Sequence, residues 1–156
     1  MASDNPRSTA KAFGHPIHPM LVGYPIAFFT ATLVSDLLYV VTRDGFWPTA
    51  SLYLLVAGLV TALGAALAGF TDFFGDRRIR ALSHAWQHMI GNLLAVLLSL
   101  ANLLLRLGGA ETAVLPFGLT LSALVTLLLV FTGWRGGDLV YHHRVGIPDE
   151  RVDIAR

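Results

Sequence analysis

The sequence predicts an all-α integral membrane protein, a bundle of four transmembrane helices with antiparallel neighbours. Of the 156 residues, 54% are hydrophobic and only 13% are charged, which is about half the charged fraction of an ordinary soluble domain. The mean hydropathy is +0.63. The apolar residues are collected in runs of about 20, the length of helix that crosses a bilayer core of roughly 30 Å.

Four apolar runs form the predicted transmembrane domain, residues 13–147, between a polar N-terminal tail (1–12) and a polar C-terminal tail (148–156). Only short turns join the runs, so neighbouring helices are expected to be antiparallel. The N-terminal tail is expected to be disordered or to lie on the surface, and Gly136-Gly137 to end the last helix. The predicted spans are about 20–41, 50–70, 88–105 and 114–134.

All but two of the 11 Lys and Arg residues fall on the side of the membrane that bears both termini. The exceptions are Arg43, in the first turn, and Arg106, at the far end of the third span. Because short loops rich in Lys and Arg remain in the cytoplasm, both termini are expected there. The chain is therefore predicted to be a multi-pass protein of the cytoplasmic membrane, surrounded by the lipid bilayer.

Composition excludes several classes of site. The absence of Cys excludes disulfides, thiolate metal sites and Cys-ligated iron–sulfur clusters within this chain. A net charge of +1 without a basic cluster gives no indication of nucleic-acid binding. The sequence contains no nucleophile–base pair, phosphate loop or nucleotide-binding fingerprint, so it assigns no enzymatic reaction.

The third span carries all its polar residues on one face. They and one alanine follow one another at spacings of 4, 4, 3, 4, 3 and 4, the spacing of a single helical stripe. Polar groups are expensive in lipid, so this polar stripe is expected to face protein or an internal cavity, with Leu103 on the lipid side. Asp36, inside the first span, is expected either to pair with Arg106 or to serve a function of its own. The stripe consists of His84, His88, Asn92, Ala95, Ser99, Asn102 and Arg106.

A double His-Pro motif, His15-Pro16-Ile17-His18-Pro19, immediately precedes the first span. A residue before proline is pushed toward an extended conformation, and in a polyproline-like turn positions i and i+3 point the same way. His15 and His18 are therefore expected to direct two imidazoles toward one point. Because the chain is expected to cross the membrane four times, the start of the third span and the end of the fourth lie at the same membrane face as this motif. The other four histidines, His84, His88, His142 and His143, are therefore expected there too. The alternative is that the imidazoles cap helices and hydrogen-bond neighbouring loops, with Asp72 and Asp138 as partners.

A set of motifs along the chain resembles one family, the bacterial membrane family known as domain of unknown function 2231. The resemblance extends from Phe13 to Ile147. It implies a four-helix domain in a bacterial cytoplasmic membrane and a redox neighbourhood, since some members are fused to a Rieske-type iron–sulfur domain. The motifs are His15-Pro-Ile-His-Pro-Met-Leu-Val22, Pro25-Ile26, Asp36, Gly69 with Asp72, His88 with Asn92, and Gly136-Gly-Asp-Leu-Val-Tyr141 with His143 and Val145-Gly146-Ile147.

Four of the six histidines match the family pattern and are the candidate ligands, while His84 and His142 fall outside it. Neutral imidazoles bind haem iron and transition metals, so the expected cofactor is b-type haem or a redox metal. Asp72 is expected to orient the imidazoles. Arg78 and neighbouring arginines are expected to neutralise haem propionates. The four candidate ligands are His15, His18, His88 and His143.

The predicted function is a membrane-embedded electron-transfer or cofactor-binding module. It would exchange electrons with a soluble redox protein, of the Rieske type or another, or with quinone. One alternative is a small transporter or channel subunit, which would use the polar stripe as a path and would need an oligomer because four helices are few. The other alternative is a ligand-free subunit that anchors a partner.

Overall fold

The computed structural model describes residues 5–148, and most of them belong to helices. The elements in chain order are β1 (Lys11–Ala12), β2 (His15–Pro16), α1 (Ile17–Leu21), α2 (Gly23–Thr42), α3 (Phe46–Gly75), α4 (Arg77–Arg80), α5 (Ser83–Leu107), α6 (Ala110–Ala113), a π-helical turn (Val114–Gly118) and α7 (Leu119–Tyr141).

Four helical stretches are long and apolar enough to cross a membrane, which confirms the predicted fold class. They contain 26, 30, 25 and 32 residues, and each includes one predicted span. The stretches are longer than the apolar runs because polar turns at both ends continue the helices. They cover Ile17–Thr42, Phe46–Gly75, Ser83–Leu107 and Ala110–Tyr141.

The four long helices pack as a bundle in which α2 lies along α3 and α5 lies along α7. Further contacts join α2 to α7 and α3 to α5, so each helix touches two neighbours. Short connections between successive helices make those neighbours antiparallel. The two ends of the described chain therefore lie at the same end of the bundle, where the Gly146 N–H donates to the Pro6 carbonyl over 2.9 Å. The apolar core between the helices consists of Phe29, Leu55, Ala62, Ala95, Val125 and Leu129.

Gly58 on α3 has no side chain, and the Phe29 ring occupies the space that a side chain at this position would fill. A Cβ at position 58 would lie 2.6 Å from Phe29 Cδ1, closer than carbon atoms approach. Because Phe29 is buried on all sides, the ring cannot move aside without disturbing its neighbours.

We expect Gly58→Ala to lower the free energy of unfolding by about 1–3 kcal/mol, the usual effect of overpacking a core. Gly64→Ala is the matched control on the same helix, since its Cβ would lie 3.7 Å from the nearest atom, Leu21 Cδ1. Unfolding of the purified protein in detergent measures the difference. Equal stability of the two variants would contradict the close approach of α3 to Phe29.

Of the two forms expected for the N-terminal tail, its described part takes the surface-lying one: residues 5–10 form a strap that is hydrogen-bonded to α3, and residues 11–12 form a hairpin strand. Two other expectations about individual segments are wrong. Gly136-Gly137 does not end the last helix, which continues to Tyr141, because glycine in a helix is unfavourable by only about 1 kcal/mol and packing outweighs it. Leu103 does not face lipid alone, since α5 is flanked by α3 and α7 and Leu103 packs against the core.

The polar stripe of the third span faces the inside of the bundle, as predicted. Ala95, Ser99, Asn102 and Arg106 are all buried on α5. Asn102 Nδ2 donates to Ser122 Oγ over 2.9 Å and to the Gly118 carbonyl over 3.2 Å. Most polar groups of the stripe are therefore hydrogen-bonded within and between helices, while Arg106 Nη1 is buried without a partner among the described residues.

Candidate functional site

Two of the four candidate ligands, His18 and His88, face each other inside the bundle. Their ring centroids are 5.9 Å apart and the ring planes are inclined by 86°. His18 lies on the short helix α1 and His88 lies in the second turn of α5. The break between α1 and α2 at Val22 allows α1 to lie against α3 and carry His18 into contact with that helix.

Each of these two rings is fixed by a hydrogen bond to the backbone of a neighbouring helix. His18 Nδ1 lies 2.8 Å from the Ala65 carbonyl of α3, and His88 Nδ1 lies 2.8 Å from the Thr132 carbonyl of α7. A carbonyl oxygen only accepts, so both Nδ1 atoms carry the proton. In the neutral rings each Nε2 atom therefore bears a lone pair.

Asn92 gives the His88 ring a second attachment to α7. Its side-chain nitrogen lies 3.2 Å from His88 Nε2 and donates to the His88 carbonyl over 2.8 Å. Its oxygen accepts from Thr132 Oγ1 over 3.1 Å. Of the two contacts of Asn92 Nδ2, the one to His88 Nε2 is the longer and the weaker. A metal ion, which accepts an electron pair more strongly than an amide N–H does, could therefore take the lone pair of His88 Nε2.

Gly69 and Gly136 make room for the two imidazoles. A Cβ at position 69 would lie 3.0 Å from His18 Nδ1, and one at position 136 would lie 3.0 Å from His88 Cε1. Both glycines belong to the motifs quoted above. The structure gives the physical reason for them, because each lets a helix approach an imidazole edge.

The other two candidate ligands make different contacts. His15 is exposed on the β1–β2 hairpin, and its Nδ1 bonds the carbonyl of Phe13, two residues away, over 3.0 Å. His143 follows α7 and pairs with His84, with 3.0 Å between His143 Nε2 and His84 Nδ1. Among residues 5–148, no three His, Asp or Glu side chains form a group that would hold a metal ion.

Asp72 holds the N-terminal strap. Its Oδ1 accepts from the backbone N–H groups of Thr9 and Ala10 over 2.6 and 2.7 Å, and from Ser8 Oγ over 2.9 Å. A carboxylate at the end of α3 thus attracts three donors from a segment more than 60 residues away. Within the described part of the chain, these hydrogen bonds join Asp72 to the strap and not to an imidazole.

Arg78 lies on α4 beside Asp76, the residue between α3 and α4, with Arg78 Nη2 2.7 Å from Asp76 Oδ2. The Asp76 carboxylate also accepts from the backbone N–H of Arg7 over 2.9 Å. The Arg78 guanidinium holds the pKa of the Asp76 carboxyl well below its usual range. Asp76 therefore stays charged at ordinary pH and fixes the start of the strap.

A second polar cluster lies at the opposite end of the bundle. Arg106 Nη2 is 2.7 Å from Asp36 Oδ2, and both side chains are fully buried, so the predicted pairing is confirmed. Ser51 and Ser122 each donate to the Asp36 carboxylate over 2.6 Å. Arg106 Nε donates to Asn102 Oδ1 over 3.0 Å. This network joins α2, α3, α5 and α7.

Sequence reasoning missed the pairing of His84 with His143 and the strap that Asp72 holds. The spacing of four between His84 and His88 indicated a shared helix face, but it could not show which side chain lies opposite. The strap had no helical or strand periodicity to reveal it. Its only signal was a run of small polar residues ahead of the double His-Pro motif.

A family model described as predicted membrane protein (DUF2231) matches residues 14–149. No curated protein and no solved structure matches the chain significantly. The family model covers most of the chain, including the double His-Pro motif, both glycines against the imidazoles and the end of α7. The four-helix architecture is in keeping with that description. The chain belongs to the DUF2231 family of predicted membrane proteins.

Proposed function

We propose that this protein is a membrane-embedded electron-transfer module that binds b-type haem between His18 and His88. The observation that carries the proposal is the pair of imidazoles that face each other from separate helices. Each ring carries a proton on Nδ1, because that atom donates a hydrogen bond to a backbone carbonyl. That arrangement fixes the ring and leaves Nε2 as the ligand atom, as in metal sites where the second ring nitrogen is held by a backbone acceptor.

The spacing of the rings suits one shared ion. Two imidazoles bound to a metal at about 2.0–2.1 Å place their centroids roughly 6 Å apart, against the 5.9 Å observed. A bare transition metal usually takes three or four protein ligands. Two imidazoles without a third ligand instead suit haem, whose own ring supplies four nitrogens to the iron. The donor set therefore favours haem over a protein-only metal site.

The residues around the pair have separate roles. Ala65 and Thr132 accept from the two Nδ1 atoms, which raises the basicity of both ligand nitrogens and fixes the ring angles. Gly69 and Gly136 let α3 and α7 approach the edges of the two rings. Bound haem supplies one-electron oxidation and reduction.

The partner that fits this role is a soluble redox protein, of the Rieske type or another, with quinone as the alternative within the bilayer. His18 and His88 lie toward the end of the bundle that bears the strap and the basic turn of α4. Arg77 is exposed in that turn. An approaching acidic protein would therefore meet positive charge close to the proposed haem.

Absorption spectroscopy of protein purified from a host with adequate iron and haem supply tests the proposal. We expect a b-type spectrum that shifts on reduction, with about one haem per chain. Haem extraction and iron analysis give the ratio. Protein that carries neither haem nor stoichiometric iron would contradict the proposal and favour the ligand-free anchor.

We also propose that the haem pair lies near the cytoplasmic face of a bacterial cytoplasmic membrane, with both termini in the cytoplasm. Reporter fusions after Gly45, Gly75, Gly109 and Ile147 are expected to alternate outside, inside, outside, inside, following the excess of Lys and Arg at one end. A fusion after Gly75 that reports from outside would reverse this orientation.

The polar stripe supports this function over the transporter. Asn92, Ser99 and Asn102 bond to neighbouring helices or to their own helix backbone, and Ser99 and Asn102 are fully buried. Polar side chains that are already paired with protein groups stabilise helix packing, typically by about 0.6–2 kcal/mol each. A solute path would require those groups to exchange their partners.

A further inference from the structure

The last residue of α4, Arg80, is joined by hydrogen bonds to two residues whose aromatic side chains are exposed. Arg80 Nη1 donates to the Phe74 carbonyl over 2.6 Å, and the Trp86 indole Nε1 donates to the Arg80 carbonyl over 2.9 Å. Phe74 is 61% exposed and Trp86 is 44% exposed. Both rings pack on the buried ring of Phe73, at centroid distances of 5.2 and 4.9 Å. Arg80 therefore has a fixed position beside two aromatic rings on the outside of the bundle.

The length of α3 places this part of the chain at the level of the lipid headgroups. The helix contains 30 residues and is about 45 Å long at 1.5 Å per residue, whereas the hydrocarbon core of a bilayer is roughly 30 Å thick. Phe74 lies in the last turn of α3. Trp86 has the side chain that is typical of the membrane interface, where the ring meets lipid and the N–H meets a polar group. An arginine between these residues in the chain lies at the depth of the lipid phosphates.

The Arg80 guanidinium keeps donors for a further acceptor. Asp76, the carboxylate closest to it in sequence, is paired with Arg78 over 2.7 Å, and Asp72 accepts from the strap. Within residues 5–148, neither carboxylate forms an ion pair with Arg80. An arginine has five N–H donors, and the Phe74 carbonyl takes a donor of Nη1 only. The edge formed by Nε and Nη2 is left for a ligand.

We propose that Arg80, Phe74 and Trp86 bind the headgroup of an anionic phospholipid such as phosphatidylglycerol. The planar guanidinium can donate two parallel N–H bonds to two oxygens of one phosphate. The exposed rings of Phe74 and Trp86 pack against the glycerol and the upper acyl chains beside it. A zwitterionic lipid fits less well, because its cationic group would lie next to the arginines of α4. This site lies outside the bundle and does not depend on haem at the inner imidazole pair.

Arg77 is the matched control for this site. It carries the same charge on the same turn of helix and is exposed. The hydrogen bonds that involve Phe74 and Trp86 are made with Arg80 and not with Arg77. General attraction to a negative membrane surface would involve both arginines to a similar extent, since each basic residue near the surface contributes a similar factor. A site built from Arg80 and the two rings depends on Arg80 alone.

Native mass spectrometry of the full-length protein in detergent tests the inference, with phosphatidylglycerol or phosphatidylcholine of the same acyl chains added. We expect the wild type to bind one phosphatidylglycerol with a preference of at least about fivefold, the factor for one basic side chain and an anionic lipid. Arg80→Gln should lower this affinity by about tenfold, the usual effect of losing hydrogen bonds to a charged group. Arg77→Gln should lower it by no more than about twofold, because an exposed charge is screened by salt.

A conservative variant separates lost binding from a lost fold. Arg80→Lys keeps the charge but not the planar fork, so it should recover part of the affinity that Arg80→Gln loses. Inorganic phosphate and an acidic peptide should not displace the lipid, because neither has acyl chains to pack against the rings. Equal losses in Arg77→Gln and Arg80→Gln, equal retention of the two lipids, or displacement by phosphate or the peptide would overturn the inference. None of these results depends on whether the protein carries haem.

Discussion

Replacing Arg106 with methionine is expected to lower the free energy of unfolding by about 3–5 kcal/mol, the effect of removing one partner from a buried ion pair. The Asp36 carboxylate would remain fully buried with only two hydroxyl donors, from Ser51 and Ser122. Asn102 Oδ1 would also lose the Nε donor that it now has. Inside a membrane no water reaches these groups to replace the lost bonds.

The test uses Arg43→Met as a control, because it removes an arginine from the same end of the bundle. Arg43 is exposed and its guanidinium lies 5.8 Å from the Tyr39 ring centroid, so its loss should change stability by no more than about 1 kcal/mol. Unfolding in detergent measures both variants. If Arg106→Met is as stable as Arg43→Met, the buried pair does not stabilise the bundle.

A double variant separates the ion pair from simple packing. With Asp36→Leu added to Arg106→Met, no unpaired charge remains, and replacing a buried pair by apolar residues of similar volume is often neutral. We therefore expect the double variant to be more stable than Arg106→Met alone. A double variant that loses the sum of both single effects would show that the two side chains act separately.

Loss of either imidazole of the inner pair is expected to abolish haem binding. His18→Ala and His88→Ala each remove one of two ligands, and the remaining imidazole would have to hold the iron alone. His15→Ala and His142→Ala should leave most of the spectrum, because His15 lies on the exposed hairpin and His142 bonds Asp138. Absorption of the reduced and oxidised proteins measures the haem content.

Free imidazole distinguishes a lost ligand from a lost fold. An alanine at position 18 or 88 leaves a space of the shape of the missing ring, and added imidazole is expected to restore part of the spectrum. A misfolded variant would not respond. If His18→Ala retains a full haem spectrum while the wild type has one, the haem lies elsewhere and the facing pair is a packing contact.

The sequence predicted the partners in the Asp36–Arg106 cluster better than the partners among the histidines. Asp36 lies inside the first predicted span and Arg106 directly follows the third on the same polar stripe, so both charges had to avoid lipid, and their position at the same end of the bundle left little choice of partner. The histidines offered more choice. Six imidazoles at one face allow many pairings, and the choice between His18 with His88 and His18 with His15 depends on how α1 lies against α3.

The sequence by itself determined the four-helix membrane architecture, the antiparallel order, the inward face of the third span and the family. The first three follow from the length and periodicity of the apolar runs, since a chain in lipid must pair every backbone group within its own helices, whereas the family follows from the motifs along the chain. Tertiary structure decided which imidazoles meet, because side-chain partners depend on the rotation and axial shift of each helix. It also decided the course of residues 5–12, since carboxylates at the distant end of α3 fix a strap that has no periodicity of its own.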